Sequence, residues 1–295
     1  MPGTSLLTLI DDISSALDDV ALMTKVAAQK TGAVLGDDLA LNAQQIIGIH
    51  ANRELPVVWA VAKGSFINKL ILVPLALLIS FFAPYLVTIL LMLGGLYLCF
   101  EGYEKLIEKF LPHDVVHPEQ TMNLQTGDLH QFEQDKVRGA VRTDFVLSAE
   151  IIVITLGTVA SNSLMQQLIV LTLISLLMTV GVYGLVACIV KLDDLGLILR
   201  EKKRPLKQMG LFLIGAAPIL MKLLAVVGTV AMFLVGGGII AHGLPFFHHY
   251  IDNASAIISL GINFFMGLVA GAMTACLIFI FHKIKAQVYG FQKRK

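Results

Sequence analysis

Four long apolar blocks dominate the chain, and polar punctuation divides them. Residues 57–104 are interrupted at "FFAPY" by Pro84. Residues 144–190 are interrupted by the polar "SNSLMQQ" at 161–167. Residues 209–241 form one run containing Pro218, Lys222 and the glycines 236–238, and residues 257–281 form a last run before "HKIK". A helix crossing hydrocarbon needs about 20 apolar residues. The pattern therefore predicts six transmembrane helices, near 57–82, 85–104, 144–160, 166–190, 208–241 and 257–281. The first block is short for two crossings. A full hairpin, a re-entrant hairpin and one span kinked at Pro84 all fit its length, and the lack of basic residues near Pro84 favours the hairpin.

Ahead of these blocks, Leu6, Leu9, Ile10, Ile13, Leu17 and Val20 recur at helical spacing, with Asp11, Asp12, Asp18 and Asp19 between them. This spacing predicts an amphipathic helix. Its acidic face argues against docking on anionic lipid and for packing on the cytoplasmic face of the protein. The expected organisation is a cytoplasmic amphipathic segment over 1–55 and a transmembrane bundle over 56–295, with cytoplasmic loops near 105–143 and 191–207.

Charge orients this all-α arrangement. Of the 22 lysines and arginines, 19 fall in 1–55, 105–143, 191–207 and the tail after 281; the turns near 83, 161–167 and 242–256 hold none. Basic residues accumulate on the cytoplasmic side of membrane proteins. The chain thus reads as three in–out–in hairpins with both termini cytoplasmic. Composition agrees: 56% of the 295 residues are hydrophobic, 15% are charged, and the mean hydropathy is +0.79. A soluble domain carries about 25% charged residues. A net charge of +1 gives no electrostatic basis for nucleic-acid binding. Cys99, Cys188 and Cys276 stand alone in apolar runs and read as small buried side chains.

Two stretches resemble each other, "LLMLGGLYLCFEGYEKL" at 90–106 and "LLMTVGVYGLVACIVKL" at 176–192, as do "GDDLAL" at 36–41 and "LDDLGL" at 192–197. If these mark a duplication, the repeats run parallel, related by an axis along the membrane normal. The stretches "SLLTLIDDI", "LGDDLALNAQQ", "ANRELPVVWAVAKGSFINKLILVPLAL", "GGLYLCFEG" and "KLDDLGL" resemble the YedI-like family of bacterial inner-membrane proteins. That resemblance implies a multi-pass protein of the cytoplasmic membrane, and it supplies no activity, substrate or site residue.

The candidate chemistry is charge inside the apolar blocks. Lys63, Lys69, Glu150 and Lys222 fall within predicted spans, with Ser65 and Asn68 nearby. A lone charge at mid-bilayer costs about 2.5–3.5 kcal/mol at least, so each needs a partner or a wet cavity. Glu150 is the expected partner of Lys63 or Lys69; Lys222 has no acidic group at its depth. Pro218 and the triple glycine permit a broken helix of the kind that binds solutes in transporters. "GLVAG" at 267–271 reads as a close helix contact.

Other motifs are weaker. The acidic doublets 11–12, 18–19, 37–38 and 193–194 read as solvated helix faces rather than cation sites. His113, His117 and His130 with Asp114, and His242, His248 and His249 with Asp252, contain ligand types for a metal without a spacing that assigns one. The chain has neither an HExxH motif nor a phosphate loop, and no cofactor is assigned.

Two functions follow. One is a transporter or channel for a small solute or ion, with Lys69, Asn68, Glu150 and Lys222 along its path and Lys63 at its cytoplasmic mouth. The other is a non-transporting scaffold or assembly protein that presents a cytoplasmic face to a partner. Neither is an enzyme. Membrane lipid is a partner in both, and self-association is compatible with both.

Overall fold

A computed structural model describes residues 2–46, 51–110, 126–200, 206–244 and 255–292. Among them seven helices follow one another: α1 (Pro2–Ile46), α2 (Ala51–Phe82), α3 (Pro84–Phe110), α4 (Thr126–Val159), α5 (Leu164–Arg200), α6 (Leu206–Gly243) and α7 (Ala256–Gln292). Five stretches are long and apolar enough to cross a membrane: Arg53–Phe82, Pro84–Glu108, Leu164–Arg200, Leu206–Gly243 and Ile257–Phe281. They match five of the six predicted spans.

The remaining predicted span, 144–160, is the second half of α4. The polar stretch before it, expected to end in a short helix, is the first half of the same helix from Thr126 onward. α4 escapes the apolar pattern because it is the inner helix of its bundle. It packs against α1, α2 and α5, and Leu147, Ile151, Ile152, Ile154, Leu156 and Val159 are all buried. A helix shielded by three others meets little lipid, so it can carry polar groups that a lipid-facing helix cannot.

Proline and glycine act locally. α2 and α3 meet at Ala83, and Pro84 opens α3, where a missing N–H costs nothing. α2 and α3 are thus separate helices. α2 continues as helix through Pro56 and Pro74. α6 likewise runs without interruption through Pro218 and the triple glycine. The broken helix that those residues permit is not formed.

The chain divides into two units, Met1–Thr88 with Met122–Val226, and Ile89–Thr121 with Val227–Lys295. In the first, α2 and α4 run side by side in the same direction. Arg53 meets Glu133 near their starts, and Asn68 reaches Val141 further along. Gly64 lets them approach, since a Cβ there would overlap Val141. One apolar cluster joins Leu39 of α1, Val57, Val58 and Val61 of α2, Ala140 of α4 and Val182, Val186 and Ile189 of α5. A second joins Val20 and Ala27 of α1 to Ile151 and Val159 of α4 and Val170, Ile174 and Met178 of α5. Together the two clusters lay α1 lengthwise along α5, both helices running the same way.

The expected apolar face of α1 is only partly used. Val20 is buried, whereas Ile10, Ile13 and Leu17 are exposed; the side chains of Leu6 and Leu9 lie outside the described residues.

In the second unit, α3, α6 and α7 pack through glycine. A Cβ on Gly236 would lie 2.7 Å from the carbonyl oxygen of Gly95. One on Gly267 would overlap the Phe233 backbone, and one on Gly271 the Cys99 backbone. "GLVAG" is therefore a close-contact motif, as its spacing predicts, and the triple glycine belongs to the same packing surface. Without a hydrophobic force between helices in lipid, such close approach is what holds them together.

A buried charge cluster as candidate functional site

Lys69 lies 16 residues after Arg53 and 13 before Phe82, the ends of its apolar stretch. That places it about midway along the stretch, roughly 24 Å and 20 Å from the two ends. Its side chain is 5% exposed and that of its carboxylate neighbour, Asp144, 6%; their charged atoms are 3.8 Å apart.

The ammonium donates hydrogen bonds to Ser65 Oγ at 2.7 Å and to Ser148 Oγ at 2.8 Å. Helical spacing supplies both. Ser65 lies one turn before Lys69 on α2, and Ser148 one turn after Asp144 on α4, so each pair shares a face. The Ser148 hydroxyl then donates to Asp144 Oδ2 at 3.0 Å. Asn68 donates to the same oxygen at 3.1 Å and to the Val141 carbonyl at 3.0 Å. Tyr183 of α5 donates its hydroxyl to Asp144 Oδ1 at 2.7 Å. Asp144 therefore accepts three hydrogen bonds beside a cation.

α1 closes the cluster. Asp38 and Asn42 are both buried. Asn42 donates to the Asp38 carbonyl at 2.7 Å, and its Oδ1 lies 3.5 Å from the Tyr183 hydroxyl. Asp38, Asn42, Lys69, Asp144, Ser148 and Tyr183 surround a cavity of about 10 Å³. That is at the lower limit for holding one water molecule.

The sequence-predicted residues have different fates. Lys69 and Asn68 belong to the cluster. Glu150 is buried on α4, but Lys69 takes Asp144 as its carboxylate partner. Glu150 lies six residues beyond Asp144, about 240° around the helix, so it points to another side of α4. Lys63 is exposed and holds its ammonium 5.5 Å from the centroid of the Trp59 ring, a cation–π contact. Lys222 is exposed on α6, while its neighbours Met221 and Leu224 face the apolar core. The lysines at 69 and 222 are thus not brought together.

Asp144, Tyr183 and Asn42 were missed by the sequence reading, and Asp38 entered it only as half of an acidic doublet. The available signal was the spacing of Asp144 and Ser148 against Ser65 and Lys69, four residues apart in each case. His242 Nδ1 lies 2.8 Å from the Gly238 carbonyl; His113, His117, His248, His249, Asp114 and Asp252 lie outside the described residues.

Comparison with curated proteins and with solved structures returned no match. A family model described as "Protein of unknown function (DUF808)" matches residues 4–290. It covers all of the cluster and nearly all of both units, and it does not carry the YedI-like name. The chain belongs to this uncharacterised family.

Proposed function

We propose that the protein is a multi-pass protein of the bacterial inner membrane that moves a small ion or solute, with the Lys69–Asp144 cluster as its ion-handling centre. One observation carries this reading: a continuous hydrogen-bonded chain runs from Lys69 through Ser148 and Asp144 to Tyr183, buried at mid-depth among apolar helices. Every link holds an exchangeable proton. Ionisable groups within membrane spans commonly mark ion paths and proton relays. The small cavity corresponds to a closed state that admits at most one water. α4 supplies the sixth crossing, and the basic loops put the C-terminus in the cytoplasm.

A second reading has an observation of its own. Asp144 is fully engaged by its neighbours, as a group that only fixes helix register would be. The protein would then be a membrane scaffold with no flux. In neither reading does the cluster perform catalysis.

Purified protein in liposomes loaded with a pH-sensitive dye separates the two. Transport predicts proton or cation flux above that of empty liposomes. Lys69→Met and Asp144→Asn should abolish it, while Lys69→Arg retains part. Absence of flux from well-folded wild-type protein under imposed ion and pH gradients would sink the transport reading in favour of the scaffold.

A further inference from the structure

Different contacts mark the two ends of the α1, α2, α4 and α5 bundle. At one end Arg53 pairs with Glu133. At the other, the Ser80 hydroxyl donates to Gln167, whose amide donates to the Asn162 carbonyl in the turn between α4 and α5. Basic residues gather at the first end, with Arg53, Lys136, Arg138, Lys191 and Arg200, while the turn at the second has none. By charge bias the first end is cytoplasmic.

α1 connects the two ends. Leu39 packs beside Val57 and Val186 toward the cytoplasmic end. Val20 packs with Val159 and Val170, next to the turn at the far end. From Asn42, level with the cluster, back to Val20 a helix rises about 33 Å, more than half of a hydrocarbon core of about 30 Å. The residues before Val20 thus emerge beyond the far end. Residues 1–24 hold no lysine or arginine and include four aspartates, as a non-cytoplasmic segment should.

Between those levels α1 has two unlike sides. Ala27, Thr31, Asp38 and Leu39 are buried against the bundle. Lys25, Gln29 and Lys30 are exposed on the opposite side.

We propose that α1 crosses the membrane with its N-terminus on the non-cytoplasmic side. The exposed Lys25 and Lys30 then stand on the non-cytoplasmic side of the Lys69–Asp144 cluster. This reverses the sequence expectation for the N-terminus.

The wild-type protein carries its own reporters. Right-side-out and inside-out membrane vesicles are treated with a membrane-impermeant amine-acylating reagent, and the modified lysines are mapped by mass spectrometry. Lys25 and Lys30 should be modified in right-side-out vesicles, with Lys136 and Lys191 modified in inside-out ones. Modification of Lys25 and Lys30 only alongside Lys136 and Lys191 overturns the topology. No modification of Lys25 and Lys30 from either side also overturns it. A second measurement uses the variants Asp18→Cys, Gln29→Cys and Ala27→Cys in a chain without its three native cysteines. An impermeant maleimide added outside should label the first two and spare the third; labelling of Ala27→Cys as fast as Gln29→Cys would show that the face is not distinct. Labelling without flux removes the transport reading and leaves the topology, whereas flux without labelling does the reverse.

Discussion

The Tyr183 hydroxyl of α5 donates a 2.7 Å hydrogen bond to Asp144 of α4, and the same carboxylate faces the Lys69 ammonium of α2 at 3.8 Å. One acidic group thus ties three helices together where no bulk water reaches. Removing one member of such a buried pair leaves the other uncompensated, at a cost of about 3–5 kcal/mol. Lys69→Met and Asp144→Leu should each lower the unfolding temperature in detergent sharply. The double variant should recover part of the loss, because neither charge is then orphaned. Additive losses in a double-variant cycle would contradict direct coupling.

Tyr183→Phe removes one donor to a buried charge and keeps the ring. Hydrogen bonds to charged groups contribute about 1.5–3 kcal/mol, so this variant should fold with a smaller loss than Asp144→Leu. Combined with Asp144→Leu it should cost little more, which the same melting measurement checks.

Close helix packing offers a contrast between two glycines. Gly64→Ala would press against the Val141 side chain, and overpacking of this kind costs about 1–3 kcal/mol. Val141→Ala should rescue it by making room. Gly267→Ala presses on the Phe233 backbone, which no side-chain substitution can shorten. Its loss of stability should persist in combination with any substitution at position 233.

Lys222→Met provides a negative control. The side chain is exposed on α6 and takes no part in the cluster. Melting temperature and any flux should match the wild type. A drop in flux would place Lys222 on the path after all.

The legibility of this molecule in its sequence follows the surroundings of each residue. Lys69 was legible because an ammonium at mid-depth of an apolar run needs company wherever the fold puts it. Its partner was not. Asp144 opens an apolar block and so looks like a boundary charge, while Glu150, deeper in the same block, looked the better match. Six residues of helix turn Glu150 to a different side, and only the packing of α4 reveals which side matters. Tyr183 was hidden for the opposite reason: an aromatic in an apolar run signals nothing about its hydroxyl. Gly267 and Gly271 were legible as a spaced pair. Gly236–Gly238 was misleading, since a glycine run permits both a break and a tight contact, and neighbouring backbones decide between them. The path of α1 was obscured by its acidic start, which gave no hint that residues 20–43 line the bundle.

The inner position of α4 bears on how the chain is built. A helix with Asp144, Ser148 and Glu150 in its second half is one that the bilayer alone would refuse. Its integration has to wait for neighbours that accept those groups, and α1 and α2 are made before it while α5 follows. A nascent chain halted after α4 should therefore stay at the insertion machinery, and release should come only when α5 arrives to complete the shell.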